Sequence, residues 1–405
     1  MTSIESEVRE VPEMDLADPA MLRDPFTAYG RARERSPLAR LTAPGFGPMW
    51  AVTRHRDARA MLADPRFQLN ASSYRMRPDV PEDCLPYMRT MQEMDGPEHT
   101  RLRPLAAPAF TARRAAELRP RVEPIVERLL DDLPGHAEGG AVDLLAHFAR
   151  LLPIDLISEL VGIPTRDRPR WREYGAAVAA GSGQAFAEAI PGIMAGAKAA
   201  VAARRAEPGD DLIADLIGIQ AEDRDRLSDA EMVTLVWHLV LAGQVPGNLI
   251  ANAVEVLLAH PGQLTALRED PVLMPGAVEE LIRWCGPQLL TIPRYAREDV
   301  EIGGIPVGRG EPVTAAIASV NRDPRAFDDP DRLDVSRPPG PSGHLGFGHG
   351  PHFCLGAPLA RVETEVALTA LLRRFPKLTL AVAPQDVPRS PDPGTWRLSS
   401  LPVTL

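Results

Sequence analysis

The sequence predicts a mostly α protein with a small β part. Three observations carry this. Apolar residues recur at helical spacing through 121–133, 144–161 and 191–205, and the longest such run extends from Ser228 to about Leu258. Short β-like pieces gather at 289–295, 300–305 and 312–317. A proline-rich irregular region, 323–341, runs into a glycine-rich loop just before a last helical stretch, 357–375. Long irregular segments inside a compact domain are uncommon unless they serve a site.

The elements have local signals. Ser228-Asp-Ala-Glu231 reads as a capping box that starts the long helix, and His260-Pro261 closes it. A helix over 275–285 follows. No repeat or low-complexity linker divides the chain, so residues 1–405 are expected to form one domain. Its β-rich part is expected near 37–55 and 287–320, with further strands at the C-terminus.

The chain has 405 residues, 44% of them hydrophobic, and a net charge of −10. That supports a large core and argues against a nucleic-acid partner. No segment offers about 20 apolar residues free of charge, so no membrane span is expected. The polar, acidic start, Met1 to Glu13, lacks the basic and apolar parts of a signal peptide, so a cytoplasmic protein is expected. Cys84, Cys285 and Cys354 form no zinc-like spacing and no disulfide framework, which suits a reducing compartment. Arg113, Arg114 and Arg119 make a weak basic cluster, either a solvated helix face or a docking patch for an acidic redox protein.

The third thiol has a distinctive setting. His344-Leu-Gly-Phe347-Gly348-His-Gly350-Pro-His352-Phe-Cys354-Leu-Gly356 stands immediately before a helix. Glycines let a backbone turn tightly and approach a flat ligand. A cysteine at a helix N-terminus has its thiolate stabilised by free amides. Such a thiolate is a strong, electron-donating ligand for iron.

The pattern Phe-Gly-x-Gly-x-His-x-Cys-x-Gly, followed by Ala357-Pro-Leu-Ala-Arg361, resembles the haem-binding loop of the cytochrome P450 family, with Gly346 where alanine is often found. The resemblance extends over nearly the whole chain. It implies the fold of that family, a triangular helical prism with a long helix over the haem. It also implies haem b (iron protoporphyrin IX) ligated by Cys354, with Phe347, Gly348 and Gly356 shaping the loop. Glu280-Leu-Ile-Arg283 resembles the family's Glu-x-x-Arg motif, and 327–337 its meander, so Glu280, Arg283 and Arg337 are expected to pair and hold the loop. Asp95-Gly-Pro-Glu-His99-Thr-Arg-Leu-Arg103 is similar to the segment entering a helix at the haem edge. His99, Arg103, Arg294 and His352 then match propionate contacts, a chemically sensible set of donors.

The distal side departs from the family. Its long helix usually carries Ala-Gly-x-(Asp/Glu)-Thr, an acid and an alcohol that help deliver protons. Here the segment reads Ala242-Gly243-Gln244-Val245-Pro246-Gly247-Asn248, with one residue missing if the following Asn248 to Asn252 is aligned instead. Either way no Ser, Thr, Asp or Glu stands between Thr234 and Glu255. Pro246 lacks an N–H, so a kink is expected, with the Ala242 carbonyl left for a water or a substrate hydroxyl. Gln244 and Asn248 are the polar side chains near that break.

Three accounts follow. The chain is expected to oxidise a mainly hydrophobic small molecule, a secondary-metabolite intermediate, by monooxygenation, with electrons from a ferredoxin and an NAD(P)H-dependent ferredoxin reductase. The alternative is peroxide-driven or non-oxygen-inserting oxidation, such as coupling, cyclisation or rearrangement. The third is a haem-free helper, which the intact cysteine loop disfavours. A monomer is expected. By resemblance, substrate contacts come from 72–91, 171–194, 237–245 and 289–292, including Met76, Met88, Met91, Leu241, Leu289, Leu290 and Ile292. The alanine- and glycine-rich stretch 175–203 reads as a thin, mobile lid.

Overall fold

The computed structural model describes residues 11–43, 46–73, 80–179, 183–223, 225–338, 340 and 343–405. Met76 lies outside them, as do parts of the polar N-terminus, of the irregular 323–341 region and of the stretch 180–182.

Helix α1 (His55–Ala63) precedes α2 (Gly96–Ala106) and the 21-residue α3 (Ala112–Asp132). A π-helical turn, Leu145–Ala149, leads into α4 (Leu151–Val161), followed by α5 (Arg168–Ala179) and α6 (Gly183–Ala206). The expected long helix is two helices, α7 (Asp229–Ala242) and α8 (Pro246–Ala259). Helices α9 (Met274–Cys285) and α10 (Ala357–Arg374) complete the core. Glu231 N donates to Ser228 Oγ at 3.2 Å and Ser228 N to Glu231 Oε2 at 2.9 Å, so the capping box forms as read. Helix α10 is central: Leu359, Val366, Ala367, Leu368 and Leu371 are buried among residues of α3, α8 and α9.

The β part is smaller than the sequence suggests. A six-stranded sheet runs Glu13–Asp15, Leu38–Ala43, Phe46–Val52, Pro312–Ala315, Arg294–Ala296, Phe67–Gln68. Val300–Ile302 and Ile305–Val307 form a separate hairpin, and Val142–Asp143 joins Thr379–Leu380 and Pro402–Thr404. Only the last two residues of 289–295 are strand, because Gln288 and Leu290 make isolated bridges to Thr395 and Ala316 instead.

One expectation needs correction. Two described helical runs, Gln184–Ala206 and Asp229–Ala259, are long and apolar enough to cross a membrane by length and composition. In the second, 61% of the apolar window is buried inside the protein, as befits a core helix. The small residues of α6 have a packing role. A Cβ on Gly192 would come within 2.5 Å of the Tyr174 hydroxyl, and one on Gly196 would touch the Trp171 ring at 3.4 Å, an ordinary contact. Glycine there lets the aromatic residues of α5 seat directly on the backbone of α6.

Candidate active site

The glycine-rich loop is built by three close approaches. Gly348 and Gly350 adopt φ of 71° and 74°, the left-handed region that disfavours a side chain. A Cβ on Gly350 would sit 2.6 Å from the Leu62 carbonyl at the end of α1, and one on Gly346 would meet Ile282 of α9 at 2.6 Å. Cys354 N donates to Phe347 O at 2.8 Å, closing the loop. This brings Phe347, Gly348, His352, Cys354 and Gly356 together at the N-terminus of α10.

The Cys354 side chain is accessible. Burial among surrounding protein pushes its thiol up, while the amides of Gly356 and Ala357 and the charges of Arg103 and Arg361 pull the other way. The expected amides are present at the N-terminus of α10. A bound metal cation deprotonates a coordinating thiol outright.

Four polar side chains converge beside it. His99 and Arg103 share a face of α2, and Arg103 Nη2 donates to the carbonyl of Phe353, next to the cysteine. The His99 and His352 rings lie 4.1 Å apart, centroid to centroid. Burial first, then the charges of His352 and Arg103, lower the His99 pKa to about 4, so His99 is neutral at pH 7. Arg294 is buried, and its Nη1 donates to Leu62 O at 2.7 Å. Among the described residues no hydrogen bond reaches the His99 ring. Two guanidinium groups and two imidazoles beside an accessible sulfur, with Phe353 39% exposed, fit a flat dianionic group carrying an iron.

Reading the sequence for cations missed Asp95. His352 Nε2 donates to Asp95 Oδ1 at 2.7 Å, and Leu69 N to Asp95 Oδ2 at 2.6 Å. Burial works against this carboxylate, yet those hydrogen bonds hold its pKa below the ordinary range. A carboxylate four positions before a helical histidine was a visible signal.

The loop is anchored as expected. Arg283 Nε and Nη2 donate to Glu280 at 2.7 and 2.8 Å, and Arg337 Nε donates to Glu280 Oε2 at 3.1 Å. Arg283 Nη1 also donates to the Asn321 carbonyl, and Asn321 Oδ1 accepts from Leu345 N at 2.7 Å. A second carboxylate was overlooked. Glu279 accepts from Arg361 and lies 3.2 Å from His344 Nε2, joining the start of the loop to α10. Burial raises its pKa, but His344 and Arg361 outweigh this and bring it to about 2.

On the distal side the proline divides the helix, but the Ala242 carbonyl is not freed. It accepts from Val245 N at 3.3 Å, and Gln244 N donates to Leu241 O at 3.4 Å, so the turn tightens to i→i+3 bonding. Gly243 and Gly247 wedge this turn onto the preceding helical run. A Cβ on Gly243 would meet Ile157 at 2.5 Å, and one on Gly247 the Ala149 carbonyl at 2.6 Å. Gln244 is directed elsewhere: its Nε2 donates to Leu241 O at 3.0 Å and its Oε1 packs on Gly175 of α5. Asn248 N donates to Val245 O. In an otherwise buried helix, Ala242 is exposed, as is Val245 at 38%.

Of the expected pocket residues, Met91 and Leu241 are buried in the main core, and Leu289 packs with Tyr29 and Leu41 in a separate cluster beside the sheet. The basic cluster is paired within the chain: Arg113 and Arg114 approach Glu117, and Arg119 donates to Glu365 at 2.7 Å.

Comparison with known proteins gives concordant matches. A family model described as Cytochrome P450 matches residues 197–403. Cytochrome P450 monooxygenase PikC of Streptomyces venezuelae is 40% identical over 382 residues, covering 94% of this chain and 91% of the relative. The solved structure of the bacillaene polyketide synthase cytochrome P450 PksS of Bacillus subtilis 168 has a TM-score of 0.86 at 35% identity, covering 96% of this chain and 98% of that one. The cytochrome P450 enzyme CxnD, for C–S bond formation in chuangxinmycin biosynthesis, has a TM-score of 0.85 at 32% identity, covering 98% and 97%.

Proposed function

Because the chain belongs to the cytochrome P450 family and is a haem b oxidoreductase of the monooxygenase type, we propose that it oxidises a mainly hydrophobic secondary-metabolite intermediate by monooxygenation, with Cys354 as the iron ligand. One observation carries this reading: an accessible cysteine at a helix N-terminus stands near four converging polar side chains, His99, Arg103, Arg294 and His352, which suit haem propionates. When bound, the haem supplies oxygen activation and electron transfer, and a thiolate ligand favours O–O cleavage. The chain's own residues do the rest. The Glu280–Arg283–Arg337 cluster and Glu279 hold the loop so that Cys354 keeps its position. Ala242, Gly243, Val245 and Pro246 form the tightened turn that shapes the distal wall. With Gln244 turned to Gly175, protons come from ordered water or from the substrate. Electrons come from a ferredoxin and its NAD(P)H-dependent reductase, and the enzyme works as a cytoplasmic monomer.

The second reading, peroxide-driven or non-oxygen-inserting oxidation, draws on the same distal wall. It offers no acid or alcohol between Thr234 and Glu255, and a relative of the same fold is named for C–S bond formation. Turnover under labelled dioxygen tests the proposal. Product carrying the label supports monooxygenation, and product without it, or turnover with peroxide alone, favours the second reading. Well-folded reduced protein lacking the family's carbon monoxide band would overturn the Cys354 ligation.

A further inference from the structure

His238 is a polar residue in the middle of α7, inside the stretch 237–245 expected to contact substrate. It lies one helical turn before Ala242, and Ala242 stands three positions before Val245. Positions i, i+4 and i+7 share a helix face. On this face accessibility rises from partial at His238 to exposed at Ala242 and Val245, while the residues around them on α7 are buried. The rest of the helix is occupied. Thr234 Oγ1 and Trp237 Nε1 both donate to the Tyr87 carbonyl, at 3.0 and 2.9 Å, and Gly243 is closed by Ile157.

Both ring nitrogens of His238 are closed off from water and have no hydrogen-bond partner among the described residues. Its nearest aromatic neighbour is the adjacent Trp237, at 5.9 Å between centroids. A buried polar group without a partner is rare and expensive in native proteins, and calls for a reason. A half-turn of the imidazole exchanges Nδ1 with Cδ2 and Nε2 with Cε1. That brings nitrogen to where carbon now lies, at no cost in shape. Burial alone lowers its pKa to about 4 and no charged group offsets this, so the ring is a neutral donor and acceptor.

We infer that His238 is a substrate-positioning residue that hydrogen-bonds a neutral oxygen, such as a ketone, ester or hydroxyl, on an otherwise apolar substrate. The inference rests on the haem-thiolate reading, in which this face lines the reaction chamber. It deepens that reading: the substrate is an oxygenated hydrophobe rather than a pure hydrocarbon or an anion, held one helical turn from the rewritten segment.

The test uses ferric holoprotein and two probes, a macrocyclic ketone and the cycloalkane of the same ring size, titrated by the spin-state shift of the haem band. A single neutral hydrogen bond makes the wild type favour the ketone by roughly five-fold. In His238→Leu the preference falls to about one because ketone affinity drops while cycloalkane affinity does not. His238→Gln, which keeps an N–H donor, restores part of it. A ratio unchanged in His238→Leu, or no preference in the wild type, overturns the inference while the carbon monoxide band stays intact. Absence of that band in the wild type overturns both this inference and the reading beneath it.

Discussion

His352 and Asp95 lie 257 positions apart, and a 2.7 Å hydrogen bond from the imidazole to the carboxylate joins them. Asp95 also accepts from Leu69 N, so one carboxylate fixes both a donor of the loop and the chain entering α2. Asp95→Ala leaves the Leu69 N–H and His352 unpaired, at a cost of about 1–3 kcal/mol. The expected outcome is a lower denaturant midpoint and faster loss of haem to a scavenging globin. Asp95→Asn, which keeps one acceptor, should fall between. Unchanged haem retention in Asp95→Ala would show that His352 needs no such support.

Gly350 combines a φ of 74° with a 2.6 Å approach to the Leu62 carbonyl, the same carbonyl that accepts from Arg294. Gly350→Ala is therefore expected to cost about 1–3 kcal/mol in backbone strain alone and to disturb Arg294 as well. Denaturant unfolding and haem content measure the two effects. Gly262→Ala is the control. Gly262 has ordinary backbone and nothing within 4 Å of a Cβ, so its stability should equal or slightly exceed that of the wild type.

Glu279 predicts a pH dependence. Its pKa in the folded protein, about 2, is below the ordinary 4.5, so the unfolded chain binds the proton more readily. Its contribution to stability is complete above pH 4.5 and fades as the pH falls toward 2. Denaturant unfolding of wild type and Glu279→Gln should differ most near neutrality and converge over that acid window. Because Glu279 is partly open to solvent, salt should shrink the difference. Parallel pH profiles would remove Glu279 from the loop's support.

The proximal half of the site was readable from residue order because its chemistry depends on spacing. Cys354 with its glycines, His99 with Arg103, and Glu280 with Arg283 are local patterns, and the fold brings them together. Asp95 and Glu279 were missed because each looked like a neighbour of a motif rather than a part of it, and their partners, His352, His344 and Arg361, are remote in sequence. The fate of the Ala242 carbonyl was misread for a different reason. Proline removes one donor, but a chain can tighten by one residue and supply another, which only geometry reveals. His238 falls inside the expected substrate-contact range 237–245, but an imidazole without a partner among the described residues has no sequence signature.

The turn at 243–245 also has a consequence for register. Removing one residue from a continuous α-helix rotates everything beyond it by about 100° and shifts it about 1.5 Å. Here the helix is interrupted at 243–245, and beyond the interruption Asn252 reaches the carbonyls of Cys285 and Trp396, at 3.1 and 2.8 Å. An interruption of this kind separates the rotation of α7 from that of α8.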